Sequence, residues 1–253
     1  MKAYQYIYFY LHEEVIPMTK AHLSIVLFVS ILLLTACAGG KSPPPNAEEV
    51  SNATMLYTEN FDDGESCFDP NMADFAALSI ENGELIIDIN ESNKFIWTAC
   101  EEVVLDNFTY EMDVYDDTST EGFRFFGVQL RKEPGEGRSR QYYLIRFGLG
   151  DDPTPASCAA LATDNSWIDN LTQSPTDDSC WVDLPKPIQP GEWNHFKISA
   201  NGSELTFEVN DTFVASVTDS RLTEGTIALL AGTHEADSAR IKIDNIRITA
   251  PEE

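Results

Sequence analysis

Hydrophobic and polar residues alternate with a period of two through most of the chain beyond residue 54. Alternation of this kind puts successive side chains on opposite faces of a strand. It predicts strands at Met55–Phe61, Glu84–Ile89, Phe95–Thr98, Phe108–Tyr115, Gly122–Arg131, Gln141–Phe147, Trp193–Ser199, Glu204–Val209, Thr212–Val217, Thr226–Ala231 and Ala239–Ile248. Turn signals separate them, among them Asn82-Gly83, Asn201-Gly202 and Asn210-Asp211, whose residues accept the positive φ of tight hairpins. Isoleucines 241, 243, 246 and 248 share one face only if a bulge near Asp244-Asn245 resets the alternation. No segment before Arg221 carries a helical stripe. Short strands at hairpin spacing imply an all-β fold, a two-sheet antiparallel β-sandwich of jelly-roll type, over residues 54–253.

The N-terminal pattern is different. Leu23 to Leu34 is an apolar run of twelve positions. A bilayer-spanning helix needs about 18 or more, whereas the core of an export signal needs about 7–15. Lys20 and His22 precede the run, and Leu34-Thr35-Ala36-Cys37 follows it. This segment resembles the lipobox of bacterial lipoproteins. The resemblance implies cleavage before Cys37, lipidation of its thiol, a membrane anchor and a place in the cell envelope. On this reading the signal occupies residues 1–36, translation is expected to start at Met18, and residues 1–17 fit no part of a signal. The Pro-rich stretch Lys41–Asn52 is polar and non-periodic, so residues 37–53 form a tether.

Four further cysteines, Cys67, Cys100, Cys158 and Cys180, make an even count in an exported chain and imply two disulfides. Three connectivities exist. Cys67–Cys100 with Cys158–Cys180 is favoured because each pair closes a short span around loop-rich sequence. No Cys-x-x-Cys pair is present, and a zinc site is not expected.

The chain carries 42 acidic and 16 basic residues, a net charge of −26. Nucleic acid requires clustered lysine and arginine, so it is excluded as a partner. Such acidity serves solubility, and divalent cation binding is the sharper alternative.

The strand order is specific enough to compare. The segments YTENFDDG, IENGELIIDI, FTYEMDVYDD, GFRFFGVQLR, QYYLIRFG, GEWN, ELTFEVNDTFVASVTD, EGTIALLAG and ARIKIDNIRI follow one another over residues 56–249. In this order they resemble concanavalin A-like and laminin G-like sandwiches, and most of all the 3-keto-disaccharide hydrolase-like family, related in fold to family 16 glycoside hydrolases. The resemblance implies Glu111, Asp113 and Asp116 as a strand-borne acidic set. Retaining glycosidases need two carboxyl groups about 5–5.5 Å apart, and alternation puts Glu111 and Asp113 on one face. The plainer reading is an amphipathic strand with Phe108, Tyr110, Met112 and Val114 in the core. The resemblance also implies a structural calcium at Glu59 or Asn60, Gly83 and Asp244, through the hard oxygen donors this ion takes.

Aromatic and guanidinium groups are the other candidates, since sugar rings stack on aromatic faces and polar groups fix their hydroxyls. Arg124, Tyr143, Arg146, Trp167 and Trp181 are the residues expected to bind ligand. Arg124 and Arg146 share a face if Gly127 marks a bulge. Trp167 and Trp181 fall in what reads as a long loop at 150–190, and Trp193 reads as core. The chain is therefore expected to be a lipid-anchored domain that binds glycan or another extracellular ligand without catalysis. The alternatives are cleavage of 3-keto-disaccharides or β-glucans, and a purely structural or adhesive role in the envelope.

Overall fold

The strand FTYEMDVYD shows how the sandwich is specified. Its residues alternate between buried and half-buried along the whole of Phe108–Asp116. Phe108, Tyr110, Met112 and Val114 enter the core while Thr109, Glu111, Asp113 and Tyr115 face outward. The computed structural model describes residues 54–68, 72–134, 139–149, 156–164, 166–173, 180–183, 188, 191–234 and 236–251. The export segment, Cys37 and the tether lie outside the described residues.

The described residues form sixteen strands: β1 (Met55–Glu59), β2 (Met72–Ala73), β3 (Ala76–Glu81), β4 (Glu84–Ile89), β5 (Phe95–Leu105), β6 (Phe108–Asp116), β7 (Arg124–Lys132), β8 (Gln141–Leu149), β9 (Ala156–Thr163), β10 (Ser166–Asn170), β11 (Trp181–Asp183), β12 (Trp193–Asn201), β13 (Glu204–Val209), β14 (Thr212–Thr218), β15 (Gly225–Thr233) and β16 (Ala239–Thr249). They make two antiparallel sheets. The nine-stranded sheet runs β14-β13-β12-β6-β16-β4-β3-β2, with β1 also on β16. The seven-stranded sheet runs β10-β9-β8-β7-β15-β5, with β11 also on β9. This is the expected two-sheet jelly roll. Strands, core and both disulfides lie within Asn52–Glu253, which is one unit by contact.

Apolar side chains from the inner faces interdigitate. Phe196 of the nine-stranded sheet meets Phe126 and Phe147 of the other, with ring centroids 5.6 and 4.7 Å apart. The expected bulge near Asp244-Asn245 is present. Asn245 adopts a φ of 53°, the β16–β6 register shifts between Asp244 and Arg247, and all four isoleucines are buried. Asn82 and Gly83 both take positive φ in the β3–β4 hairpin, as do Asn210 and Asp211 in β13–β14.

Three expectations change. The register of β7 runs unbroken through Gly127, and positive φ falls instead at Arg131. A Cβ on Gly127 would sit 2.3 Å from the Ile145 carbonyl oxygen, so glycine there allows close strand approach and marks no bulge. The 150–190 region holds β9, β10 and β11 rather than one long loop. Cys158, Ala159, Ala160, Leu161 and Ala162 are all buried, so β9 has no polar face to produce alternation. Trp193 is not core: it is 43% exposed on the outer face of the nine-stranded sheet, against Tyr115.

Candidate functional site

The sequence candidates separate onto the two outer faces, the buried interior and the β3–β4 turn. Glu111 and Asp113 project from β6 on the outer face of the nine-stranded sheet. Lys197 and Arg247 flank Glu111 across the ladder, while Asp113 lies between His195 on β12 and the like-charged Asp244 on β16. His195 Nδ1 lies 2.9 Å from Asp113 Oδ1, and its Nε2 lies 3.9 Å from Glu111 Oε1. Asn245 Nδ2 donates to Asp113 Oδ2 at 2.9 Å. The hydrogen bond to His195 is the main cause holding both carboxyl groups below their ordinary range, against some burial. The two acids in turn raise His195 from 6.5 to about 9. A glycosidase general acid needs the opposite shift, a carboxyl held protonated near neutral pH. His195 is a partner that sequence reasoning missed, because only the β12–β6 pairing brings it there.

This arrangement has a pH signature. A histidine whose folded pKa exceeds its unfolded value adds stability that is complete below about 6.5 and lost as pH rises through about 9. Wild-type thermal stability is therefore expected to fall between those values, and His195→Gln to flatten that slope. An identical slope in the variant would contradict the assignment.

Asp116 does not join Glu111 and Asp113. Three residues beyond Asp113, it has the parity of Val114 and turns inward, where it meets Arg124. Arg124 Nε lies 3.0 Å from each Asp116 oxygen, and Nη2 lies 2.6 Å from Oδ2. Arg124 Nη1 donates to the carbonyls of Thr120 and Gly122 at 3.1 Å each. Both side chains are buried, so Arg124 is not a ligand-binding residue and Asp116 is not the third acid. Tyr143 is also removed from the binding set. It faces the core, and its hydroxyl donates to Asp219 Oδ1 at 2.7 Å while accepting from the Leu222 amide at 3.0 Å.

Arg146, Trp167 and Trp181 do come together, on the outer face of the seven-stranded sheet. Register places Arg146 opposite Gly127 on one side and Cys158 on the other. Trp181 pairs with Cys158 and Trp167 with Ala162, so the small outward residues of β9 lie beneath the larger side chains. The guanidinium carbon is 4.8 Å from the Trp167 ring centroid, 4.9 Å from Trp181 and 5.2 Å from Phe125. The Cys158–Cys180 disulfide fixes the residue next to Trp181 onto β9. Phe125, Tyr142, Leu144 and Leu230 form a second apolar cluster here, with Phe95, Trp97, Phe123 and Trp181 packed against it. Lys132 Nζ sits 3.8 Å from the Trp97 ring centroid and bonds Gln129 and Asp164. Phe125 was missed because Arg124 was expected to share a face with Arg146, which would turn Phe125 to the opposite one.

At the expected calcium position, Gly83 faces Asp62. A Cβ on Gly83 would lie 2.7 Å from Asp62 Oδ1 and 3.7 Å from the Asn60 carbonyl oxygen. Burial and the charges of Asp113, Glu84 and Asp62 push the Asp244 carboxyl up. Glu59 is engaged elsewhere, accepting from the Phe61 amide and the Tyr57 hydroxyl at 3.0 Å each. Asn60 and Asp62 therefore lie beside Gly83, and no group of three or more His, Cys, Asp or Glu that could hold a metal ion forms among the described residues.

The two antiparallel sheets form a jelly-roll sandwich that carries aromatic groups across one outer face. By its sequence the chain belongs to the 3-keto-alpha-glucoside-1,2-lyase-like domain family, matched over residues 48–249. No curated protein sequence matches it. Similar solved structures include an endo-β-galactosidase from Clostridium perfringens that releases GlcNAcα1-4Gal. It is 12% identical with a TM-score of 0.56, over 82% of this chain and 65% of that one. The κ-carrageenase of Pseudoalteromonas carrageenovora is 10% identical, TM-score 0.55, over 83% and 99%. The catalytic domain of an endo-1,3-β-glucanase from Thermotoga petrophila is 13% identical, TM-score 0.54, over 81% and 100%. At these identities the likeness is one of fold.

Proposed function

We propose that the domain binds carbohydrate on the outer face of its seven-stranded sheet and does not cleave it. One observation carries this reading. Four adjacent strands of that sheet, β9, β8, β7 and β15, contain no aspartate or glutamate in a chain with 42 of them. Their outer face offers aromatic rings for stacking but no carboxylate pair for acid–base chemistry. The test is a binding isotherm for domain 52–253 on a glycan array, together with turnover assays on 3-keto-glucosides and β-glucans. Saturable binding without turnover is expected. Turnover abolished by Glu111→Gln would establish the second reading, an enzyme. Glu111, His195 and Asp113 favour that reading as a connected titratable set. The absence of any glycan binding would leave a structural envelope module.

The lipobox supports an anchor at Cys37 that displays the domain in a bacterial envelope, with the Pro-rich segment as spacer. Cys37→Ser is expected to abolish palmitate labelling and move the chain from the membrane to the soluble fraction. Retained labelling would refute the anchor. A calcium ion held by the Asn60 and Gly83 carbonyls and Asp244 would bind the loop after β1 to the β3–β4 turn and to β16, and neutralise the Asp244 cluster. Chelation is then expected to lower the melting temperature of the wild type and leave Asp244→Ala unmoved. Equal melting of both proteins with and without chelator would exclude the ion.

A further inference from the structure

Arg146 differs from most cations on the domain surface; Arg247 shares its unpartnered Nε but lies across the ladder from Glu111. Arg240 meets Asp88, Asp117 and Glu81; Lys242 meets Glu84 and Asp117. Arg221 meets Asp219 and Asp169, and Arg140 meets Glu101 and Asp164. With 42 acidic residues against 16 basic ones, a nearby carboxylate is the ordinary outcome. Arg146 has no acidic partner among the described residues. Its Nε is buried without a hydrogen-bond partner, and its Nη2 faces only the Cys158 sulfur at 3.8 Å.

Holding a guanidinium there is costly. Desolvation lowers its pKa to about 10, opposed only by Tyr142, so the group stays charged at neutral pH. Contacts with three rings offset part of that cost, but they leave Nε without a partner and Nη2 with only a weak sulfur acceptor. A guanidinium fork matches an oxyanion with two or three equivalent oxygens, and burial strengthens the pairing. The rings beside it belong to Trp167, itself 36% exposed, and the half-buried Trp181. Indole faces next to an unpaired guanidinium suit a sugar ring that bears an anionic group.

We propose that Arg146, framed by Trp167 and Trp181, is a subsite for a negatively charged sugar residue, a uronate carboxylate or a sulfate ester. This rests on the reading that the outer face of the seven-stranded sheet binds glycan. The net charge of −26 does not oppose it at contact range. At physiological salt the Debye length is about 8 Å, so distant carboxylates are largely screened. Those on β9, β8, β7 and β15 are missing altogether.

The test is calorimetric titration of domain 52–253 in 0.15 M salt with matched probe pairs. Tetragalacturonate and tetramannuronate are each compared with their methyl esters, and κ-carrageenan tetrasaccharide with its desulfated form. The wild type is expected to prefer the charged member of at least one pair by about tenfold, the scale of one charge-assisted contact. The preferred pair identifies carboxylate or sulfate. Arg146→Gln is expected to bind both members of that pair alike while melting at or above the wild-type temperature, since no ion pair is broken. Trp181→Ala is expected to weaken both members together. Equal affinity within every pair would overturn the anionic subsite and leave glycan binding standing. No binding of any probe would overturn both. A preference that survives in Arg146→Gln would place the anion elsewhere and overturn the subsite.

Discussion

Replacing Asp116 with alanine is expected to destabilise the domain by about 3–5 kcal/mol, the usual cost of leaving one partner of a buried ion pair uncompensated. For a domain of this size that is roughly 6–20 °C in melting temperature. Asp116 ends β6 in one sheet and Arg124 begins β7 in the other, so the pair fastens the two layers at one end of the core. Without Asp116, the guanidinium keeps only the carbonyls of Thr120 and Gly122. Asp116→Leu combined with Arg124→Met is expected to recover part of the loss, because an apolar pair removes the buried charge but leaves those two carbonyls without their donor. Thermal unfolding followed by near-ultraviolet circular dichroism measures both. A melting point for Asp116→Ala within two degrees of wild type would show that the pair does not join the layers.

The second large effect concerns the binding face itself. Cys158 and Cys180 are 22 residues apart. Closing a loop of that length stabilises by about 3 kcal/mol in the chain-entropy view. The paired Cys158→Ala, Cys180→Ala variant is expected to lose roughly that amount. It is also expected to lose most of its glycan affinity, because β11 is only three residues long and pairs with β9 alone. Freed from the disulfide, Trp181 no longer has a fixed place over Arg146. The measurement is a pair of curves on the same sample, unfolding and binding. Lost stability with intact affinity would show that Trp181 is held by its strand pairing and not by the disulfide.

The sequence was readable where one face of a strand is wet. In β13 and β16 the alternation, and even the bulge at Asn245, followed from which residues had to be buried. It was not readable where both faces are covered. The run SCAALAT in β9 carries no period because the core lies below it and the aromatic face above. The same covering conceals the site. Arg146 was visible as a candidate, but Phe125 became its neighbour only once the register of β7 was known. Asp116 and Arg124 were misread for a related reason. A buried ion pair and a solvent-facing charged residue look alike in sequence, and parity from the strand ends is what separates them. His195 needed the β12–β6 pairing, which joins residues 82 apart.

Ligand is expected to bind the seven-stranded sheet and not the opposite face. Both outer faces carry an accessible tryptophan, and these two residues separate the possibilities. Trp193 stacks on Tyr115 on the nine-stranded sheet, the same face as Glu111, Asp113 and His195. The most direct measurement is the affinity of Trp181→Ala and Trp193→Ala for whichever glycan the wild type binds. A loss of about thirtyfold or more is expected for Trp181→Ala, the scale of a truncated aromatic anchor, and wild-type affinity for Trp193→Ala. The reverse result, with Trp193 required and Trp181 dispensable, would contradict it and move the site to the Glu111–His195–Asp113 face.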